Sequence, residues 1–77
     1  MKQYSNISGE SRIIGYDEGQ DYIIIYFENG SEYTYSYDSA GEQNVEEMKK
    51  IADGGAGLNS FINQNCRYNY EQSGFQY

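Results

Sequence analysis

The fold of this chain is decided by one stretch, Tyr22-Ile-Ile-Ile-Tyr-Phe-Glu-Asn-Gly-Ser-Glu-Tyr-Thr-Tyr-Ser-Tyr37. Aromatic and β-branched residues dominate both of its halves, as they do in β-strands. Asn29-Gly30 separates the halves, and this dipeptide favours the positive φ that a tight hairpin turn requires. The stretch therefore predicts a β-hairpin, with one strand over about 22–28 and the other over about 31–37.

The hairpin has two possible registers. A two-residue turn would put the tyrosines of the second strand on the face of Tyr22 and Tyr26. A three-residue loop, with Gly30 left-handed in a bulge, pairs Phe27 with Ser31 and moves those tyrosines to the opposite face. The second register collects large residues on one face: Ile23, Ile25, Phe27, Tyr33 and Tyr35. We favour it because register follows the segregation of polar from apolar side chains.

The segments on either side of the hairpin have different patterns. Residues 11–17 carry large residues typical of a strand, and 17–21 form a turn around Gly19. Residues 1–10 are polar and predict a flexible N-terminal arm. After the hairpin the apolar period becomes helical, with Val45, Met48, Ile51 and Ala52 on one face. Ser39 and Asn44 each stand three residues before a Glu and are alternative N-caps of this helix.

Glycines then end the helix, because Asp53-Gly54-Gly55 is a typical C-terminal signal. Leu58, Phe61 and Ile62 predict a second short helix. Residues 71–77 form a C-terminal tail that either docks as an extended segment or stays mobile. The sequence thus predicts an α+β fold over 11–70, a three-stranded antiparallel meander followed by one or two short helices packed on one face.

One helical layer cannot cover both faces of such a sheet. Small domains often gain stability from disulfides, a metal or self-association. The 77 residues contain one Cys and no His, so neither a disulfide within the chain nor a typical zinc site is available. We therefore expect a homo-oligomer, and we predict no metal and no cofactor.

The charge balance limits the classes of partner. Five basic residues stand against twelve acidic ones, for a net charge of −7. This charge disfavours RNA, whose phosphates need a basic surface, and it suits a basic protein partner. The longest apolar run, Tyr22 to Phe27, is far shorter than the ~20 residues of a membrane helix. With no signal-peptide pattern and a lone Cys66, the sequence predicts a cytoplasmic protein without membrane contact.

No catalytic constellation is visible, so we predict that the protein is not an enzyme. Its most prominent feature is the set of ten tyrosines, which suit a stacking surface or a protein contact. Arginine is the natural partner of phosphate or carboxylate groups, and there are two. The predicted contact residues for a partner or ligand are Tyr22, Tyr26, Arg12, Arg67, Tyr68 and Tyr70.

The chain resembles a known family through the order Gly15-Tyr16-Asp17, Phe27-Glu-Asn-Gly30 and Tyr33-Thr-Tyr35. This order is similar to that of the KTSC domain, a module named after the C-terminus of some lysyl-tRNA synthetases and also found as small bacterial and phage proteins. Further matching positions are Val45, Met48, Gly55, Asn59, Ile62, Tyr68 and Tyr70. The function of the family is not established, and the resemblance implies only the suggestion of RNA binding.

Three functions are compatible with these observations. The first is a non-catalytic, acidic protein-interaction module, for example a phage-type inhibitor of a basic host protein. The second is a protein that binds or sequesters a nucleotide-like small ligand in tyrosine-lined pockets at subunit interfaces. The third is the RNA-binding accessory role suggested for the family.

Overall fold

The computed structural model of the chain describes residues 1–7, 9, 11–66, 69–70 and 72–75, with Cys66 and 72–75 described through their backbone. Over these residues the elements follow in this order: β1 (Lys2–Gln3), β2 (Ile13–Glu18), β3 (Tyr22–Phe27), β4 (Ser31–Ser36), α1 (Tyr37–Ala40), α2 (Glu42–Gly54), α3 (Leu58–Phe61), a π-helical turn (Ile62–Cys66) and β5 (Gln72–Phe75).

The strands form one antiparallel sheet in the order β1-β2-β3-β4-β5. Strands β2 to β4 are the predicted meander, and the helices follow them in the chain, so the α+β prediction is confirmed. The sheet is wider than predicted because a short strand is added at each edge. Strand β5 is the extended alternative for the C-terminal tail, while Glu71, Gln76 and Tyr77 lie outside the described residues.

The hairpin adopts the favoured register. Ile25 lies opposite Tyr33 and Ile23 lies opposite Tyr35. Gly30 has a φ of 90°, and its N–H donates to the Phe27 carbonyl over 3.1 Å. This geometry is the three-residue loop, in which a left-handed glycine forms the bulge. Both tyrosines therefore share a face with the isoleucines, which we call the inner face.

The turn is fixed by its asparagine. The side-chain oxygen of Asn29 accepts hydrogen bonds from the N–H of Ser31 at 3.0 Å and from its hydroxyl at 2.7 Å. Asparagine commonly stabilises turns by bonding the backbone two residues ahead. Ser31, at the start of β4, is buried by this arrangement.

The helical layer covers the inner face of the sheet. The long helix α2 packs against β3, β4 and α3. The buried hydrophobic core consists of Tyr4, Ile13, Tyr16, Ile23, Ile25, Tyr35, Ala40, Val45, Met48, Ala52, Leu58 and Ile62. The predicted apolar stripe of the helix thus faces the core.

The start of the helical layer differs from the prediction. Ser36 is the N-cap of α1: its hydroxyl accepts from the N–H of Ser39 at 3.1 Å, and the Ser39 hydroxyl accepts from the N–H of Ser36 at 3.0 Å. Helix α2 then begins at Glu42. Asn44 lies inside it and donates to the Ala40 carbonyl at 2.9 Å. Neither predicted cap is correct, because a separate short helix, α1, follows β4 directly, and the N-cap of α2 is Gly41, which makes no side-chain cap hydrogen bond.

The predicted C-terminal signal of α2 is confirmed. Gly55 has a φ of 81°, and its N–H donates to the carbonyls of Ile51 and Ala52. A side chain would be strained at this positive φ, and a Cβ there would also meet Ser5.

The N-terminal segment is not the flexible arm that its polar composition predicted. Lys2–Gln3 pairs with β2, and Tyr4 is only 4% exposed. The Tyr4 hydroxyl accepts from the N–H of Leu58 at 3.3 Å, and the N–H of Ile7 donates to the Gly55 carbonyl at 2.8 Å. The buried Tyr4 side chain and these hydrogen bonds hold residues 1–7 against the rest of the fold. The polar composition of the segment did not indicate this packing.

None of the helices in the described part of the chain is long and apolar enough to cross a membrane. The described residues form a compact unit with a radius of gyration of 11.0 Å.

Replacing Tyr35 with Ala tests the role of the hairpin register in stability. Tyr35 is 2% exposed, so we expect a loss of about 3–5 kcal/mol in the free energy of unfolding, as for other buried aromatics. Thr34→Ala, on the opposite face of the same strand, is the matched control and should cost less than about 1 kcal/mol. Urea unfolding measures both, and an equal loss in the two variants would contradict the assignment of faces.

Candidate functional site

The described part of the chain contains a cavity of about 350 Å³. It is bounded on one side by the turn end of the β3–β4 hairpin and on the other by α3 and the π-helical turn. Its lining residues are Phe27, Asn29, Ser31, Tyr33, Tyr35, Asn59, Ile62, Asn63 and Tyr70. We call this space the aromatic cavity.

Four aromatic rings contact one another along this cavity. Phe27 and Tyr33 meet edge to face, with ring centroids 5.5 Å apart and planes at 88°. Tyr70 lies 5.0 Å from Tyr33 at 59° and 6.4 Å from Tyr35 at 87°. Tyr35 is buried, whereas Tyr70 remains 37% exposed. The cavity therefore has a buried aromatic base and an accessible ring at its mouth.

The polar groups of the cavity include two asparagine side chains on the helical side. Asn59 belongs to α3 and Asn63 to the π-helical turn, four positions apart, so both lie on one side of this segment. Within the described part of the chain, neither amide makes a hydrogen bond to another protein group. Each can offer one acceptor oxygen and two N–H donors to a ligand.

The π-helical turn is itself uncommon. Such turns are rare in proteins and are frequent at functional sites. The side chain of Asn65, in the same turn, donates to the Phe61 carbonyl at 3.1 Å and does not line the cavity. The amide of Asn65 is thus engaged in a hydrogen bond within the turn, in contrast to the amides of Asn59 and Asn63.

The lining of the aromatic cavity is electrically neutral. None of its described lining residues is Lys, Arg, Asp or Glu, while the whole chain carries a net charge of −7. Four of the nine lining residues are aromatic and four are uncharged polar residues, and a concave site that combines aromatic rings with convergent polar groups suits a small molecule. The arrangement can hold an uncharged planar molecule by stacking and by hydrogen bonds to amides.

A second concavity, of about 460 Å³, lies along α2. It is lined by Gln43, Asn44, Glu46, Glu47, Lys50 and Phe61. Most of these side chains are charged or polar, and a single aromatic ring cannot sandwich a ligand. We therefore regard the smaller aromatic cavity as the better candidate site.

The opposite face of the sheet, the outer face, carries Tyr22, Ile24 and Tyr26 on β3, all half-buried. The Tyr26 hydroxyl donates to Asp17 at 2.6 Å. The Tyr22 ring lies against Gly19, in the space that a side chain there would occupy. Both tyrosines are therefore engaged within the chain but still present part of their rings on this face.

The structure does not bring the predicted contact residues together. Tyr22 and Tyr26 lie on the outer face, and Tyr70 lies at the aromatic cavity on the inner face. Arg12 is exposed, with its Nε 4.0 Å from a carboxylate oxygen of Glu28, in a pair that does not line the cavity. Arg67 and Tyr68 lie outside the described residues.

Sequence reasoning missed most of the cavity. It favoured a core role for Tyr33 over a stacking role, and it gave no role to the amides of Asn59 and Asn63. One signal could have found Tyr33 and Asn59, although not Asn63, since several positions of the quoted family resemblance converge here. The cavity residues among those positions are Phe27, Asn29, Tyr33, Tyr35, Asn59, Ile62 and Tyr70.

No metal centre accompanies the cavity: in the part of the chain that the structure describes, no three Cys, Asp or Glu side chains are grouped so as to hold a metal ion.

Comparisons with protein-family models, with curated proteins and with solved structures find no match for this chain. The resemblance to the KTSC domain therefore stays a hypothesis that rests on the residues quoted above. The function has to be argued from the site itself.

The Tyr26–Asp17 bond on the outer face gives a prediction in acid. The hydroxyl of Tyr26 and, next to it, the N-terminal ammonium group lower the pKa of Asp17 below 3.8. Tyr26→Phe should raise this pKa, which NMR titration of the Asp17 carboxyl measures. The sign for stability follows: a lowered pKa stabilises the fold above about pH 4, and this contribution disappears as pH falls through the folded-state pKa.

The matched control is Tyr22→Phe, which removes a hydroxyl on the same strand and face and should leave the pKa of Asp17 unchanged. An unchanged pKa in Tyr26→Phe would show that the 2.6 Å bond does not persist in solution.

Proposed function

We propose that this protein is a non-catalytic binding module that holds a small planar ligand in the aromatic cavity. One observation carries the proposal: Tyr70 remains 37% exposed beside Tyr33, in a cavity that also contains the unbonded amides of Asn59 and Asn63. A ring that served only the core would be more fully buried, and amides with only a surface role would not line the same space.

The energetics suit a ligand of modest affinity. Stacking of a planar base on an aromatic side chain contributes about 1–3 kcal/mol. The cavity volume of about 350 Å³ is at the low end of the range for ligand pockets, about 300–1,000 Å³. The ligand is therefore a compact heterocycle rather than an extended polymer. This is the nucleotide-like alternative of the sequence analysis, now proposed for a cavity within one chain instead of for pockets at subunit interfaces.

Ligand binding can be tested with a panel of small heteroaromatic compounds, followed by amide chemical-shift changes in NMR. We expect shifts at Tyr33, Asn59 and Tyr70. Tyr70→Ala should weaken binding about tenfold, since 1.4 kcal/mol of lost stacking corresponds to that factor. Tyr22→Ala removes a half-buried tyrosine from the outer face and should leave binding unchanged.

The opposite pattern, with binding lost in Tyr22→Ala and retained in Tyr70→Ala, would contradict the assignment to the cavity. Absence of binding by every compound at millimolar concentration would contradict the proposed function.

A second candidate is a protein contact through the outer face. The observation that favours it is the row Tyr22, Ile24 and Tyr26, which none of the described helices covers. Asp17 and Glu32 flank this row on the neighbouring strands. Aromatic centres with a charged rim are typical of protein interfaces. The net charge of −7 suits a basic partner, and the same row is where we propose that copies of this chain associate.

Sedimentation tests the self-association. The wild-type protein should form a dimer or a larger closed oligomer at tens of micromolar. The double variant with Tyr22→Ala and Tyr26→Ala should be monomeric and keep its circular dichroism spectrum, because the outer face lies opposite the core. Tyr70→Ala, on the inner face, is the control and should still associate. A folded, monomeric wild type would overturn the proposal of a homo-oligomer.

RNA binding is the weakest of the three functions, because the charge of −7 repels phosphates and the cavity lining is neutral. We place the protein in the cytoplasm as part of the same proposal.

A further inference from the structure

We infer that the ligand of the aromatic cavity is an uncharged nitrogen heterocycle of the nucleobase or nucleoside type rather than a phosphorylated nucleotide, and that Asn59 and Asn63 recognise its polar edge. This inference rests on the proposed function and adds the class of ligand to it.

The side-chain amides of Asn59 and Asn63 match the polar edge of a nucleobase. A carboxamide carries an acceptor and a donor side by side, and this pair matches the adjacent acceptor and donor on the edge of a base such as adenine. Asn59 is half-buried in α3, whereas Asn63 is exposed. Asn59 therefore lies deeper and would fix the orientation of the base, and Asn63 would complete the contact at the rim.

The aromatic rings of the cavity suit a flat ligand. Tyr33 and Tyr70 are tilted by 59° with centroids 5.0 Å apart, so the two rings do not stack in parallel on each other. Ring surface of Tyr70 is left accessible, and a flat heterocycle is the shape that covers it best. Recognition of a base commonly combines such stacking with hydrogen bonds to its edge.

The charges around the aromatic cavity disfavour the phosphate group of a nucleotide. No described lining residue of the cavity is basic. Lys2 is bonded to Glu18 at 2.8 Å, and Lys49 is bonded to Glu46 at 2.9 Å, so both act within the chain. A phosphate adds about −1.5 to −2 charges at pH 7. Against a chain of −7, this charge is repelled, and no cation among the described lining residues compensates it.

The experiment compares nucleosides with their own phosphates. Adenosine, guanosine and cytidine are each titrated beside the matching 5′-monophosphate by calorimetry, at low and at physiological salt. We expect at least one nucleoside to bind at least fivefold more tightly than its monophosphate. The difference should widen at low salt, because the repulsion is then less screened.

Two asparagine variants test the recognition of the edge. Asn59→Ala should weaken binding of the preferred nucleoside about fivefold or more and should affect an unsubstituted aromatic ring much less. Asn65→Ala is the matched control, since Asn65 lies in the same turn but bonds the Phe61 carbonyl, and it should bind like the wild type.

The outcomes separate this inference from the proposed function. Tighter binding of every monophosphate than of its nucleoside would overturn the inference and leave the cavity as a ligand site. So would binding of other heteroaromatic compounds with no binding of any nucleoside. If neither nucleosides nor any other heteroaromatic compound bound, both the inference and the proposed function would fail.

Discussion

The pairing of Ile25 with Tyr33 across the hairpin fixes most of what this molecule presents to its surroundings. Side chains alternate between the two faces of a strand, so a shift of one residue would move every large side chain of β4 to the other face. The bulge at Gly30 prevents that shift and places Tyr33 and Tyr35 beneath the helices. Tyr70 can join these rings only because they lie on the inner face.

From this register follows a division of the sheet into two unlike surfaces. Helix α2 packs against β3 and β4 on the inner face, and the aromatic cavity lies beside the short α3 and the π-helical turn. None of the described helices packs on the outer face, where Tyr22 and Tyr26 are half-buried and flanked by Asp17 and Glu32. One surface is concave and neutral, which suits a small ligand. The other is an open sheet surface with a negative rim, which suits a protein.

The sequence was informative where the signal is local and strong. Alternation, the Asn29-Gly30 turn and the glycines after α2 predicted the meander, its register and the end of the helix. Tertiary contacts decided the rest. Tyr4 joins the core although its neighbours are polar. Ser36 is the N-cap of α1 because this short helix begins directly at the end of β4. The cavity unites residues from three distant segments, and no spacing rule in one sequence predicts such a meeting.

Tertiary contacts also explain why the described residues of the predicted site lie on two different faces of the sheet. Sequence reasoning treated the tyrosines as one class and chose between core and contact roles for each. In the fold these roles overlap. Tyr35 is a core residue that also lines the cavity. Tyr70 packs on Tyr33 while remaining exposed. A small domain has few residues that can serve only one purpose, because much of its surface lies close to its core. A ligand that stacks on Tyr70 would therefore bind directly against the hairpin that holds the fold together, so binding and folding stability should be coupled.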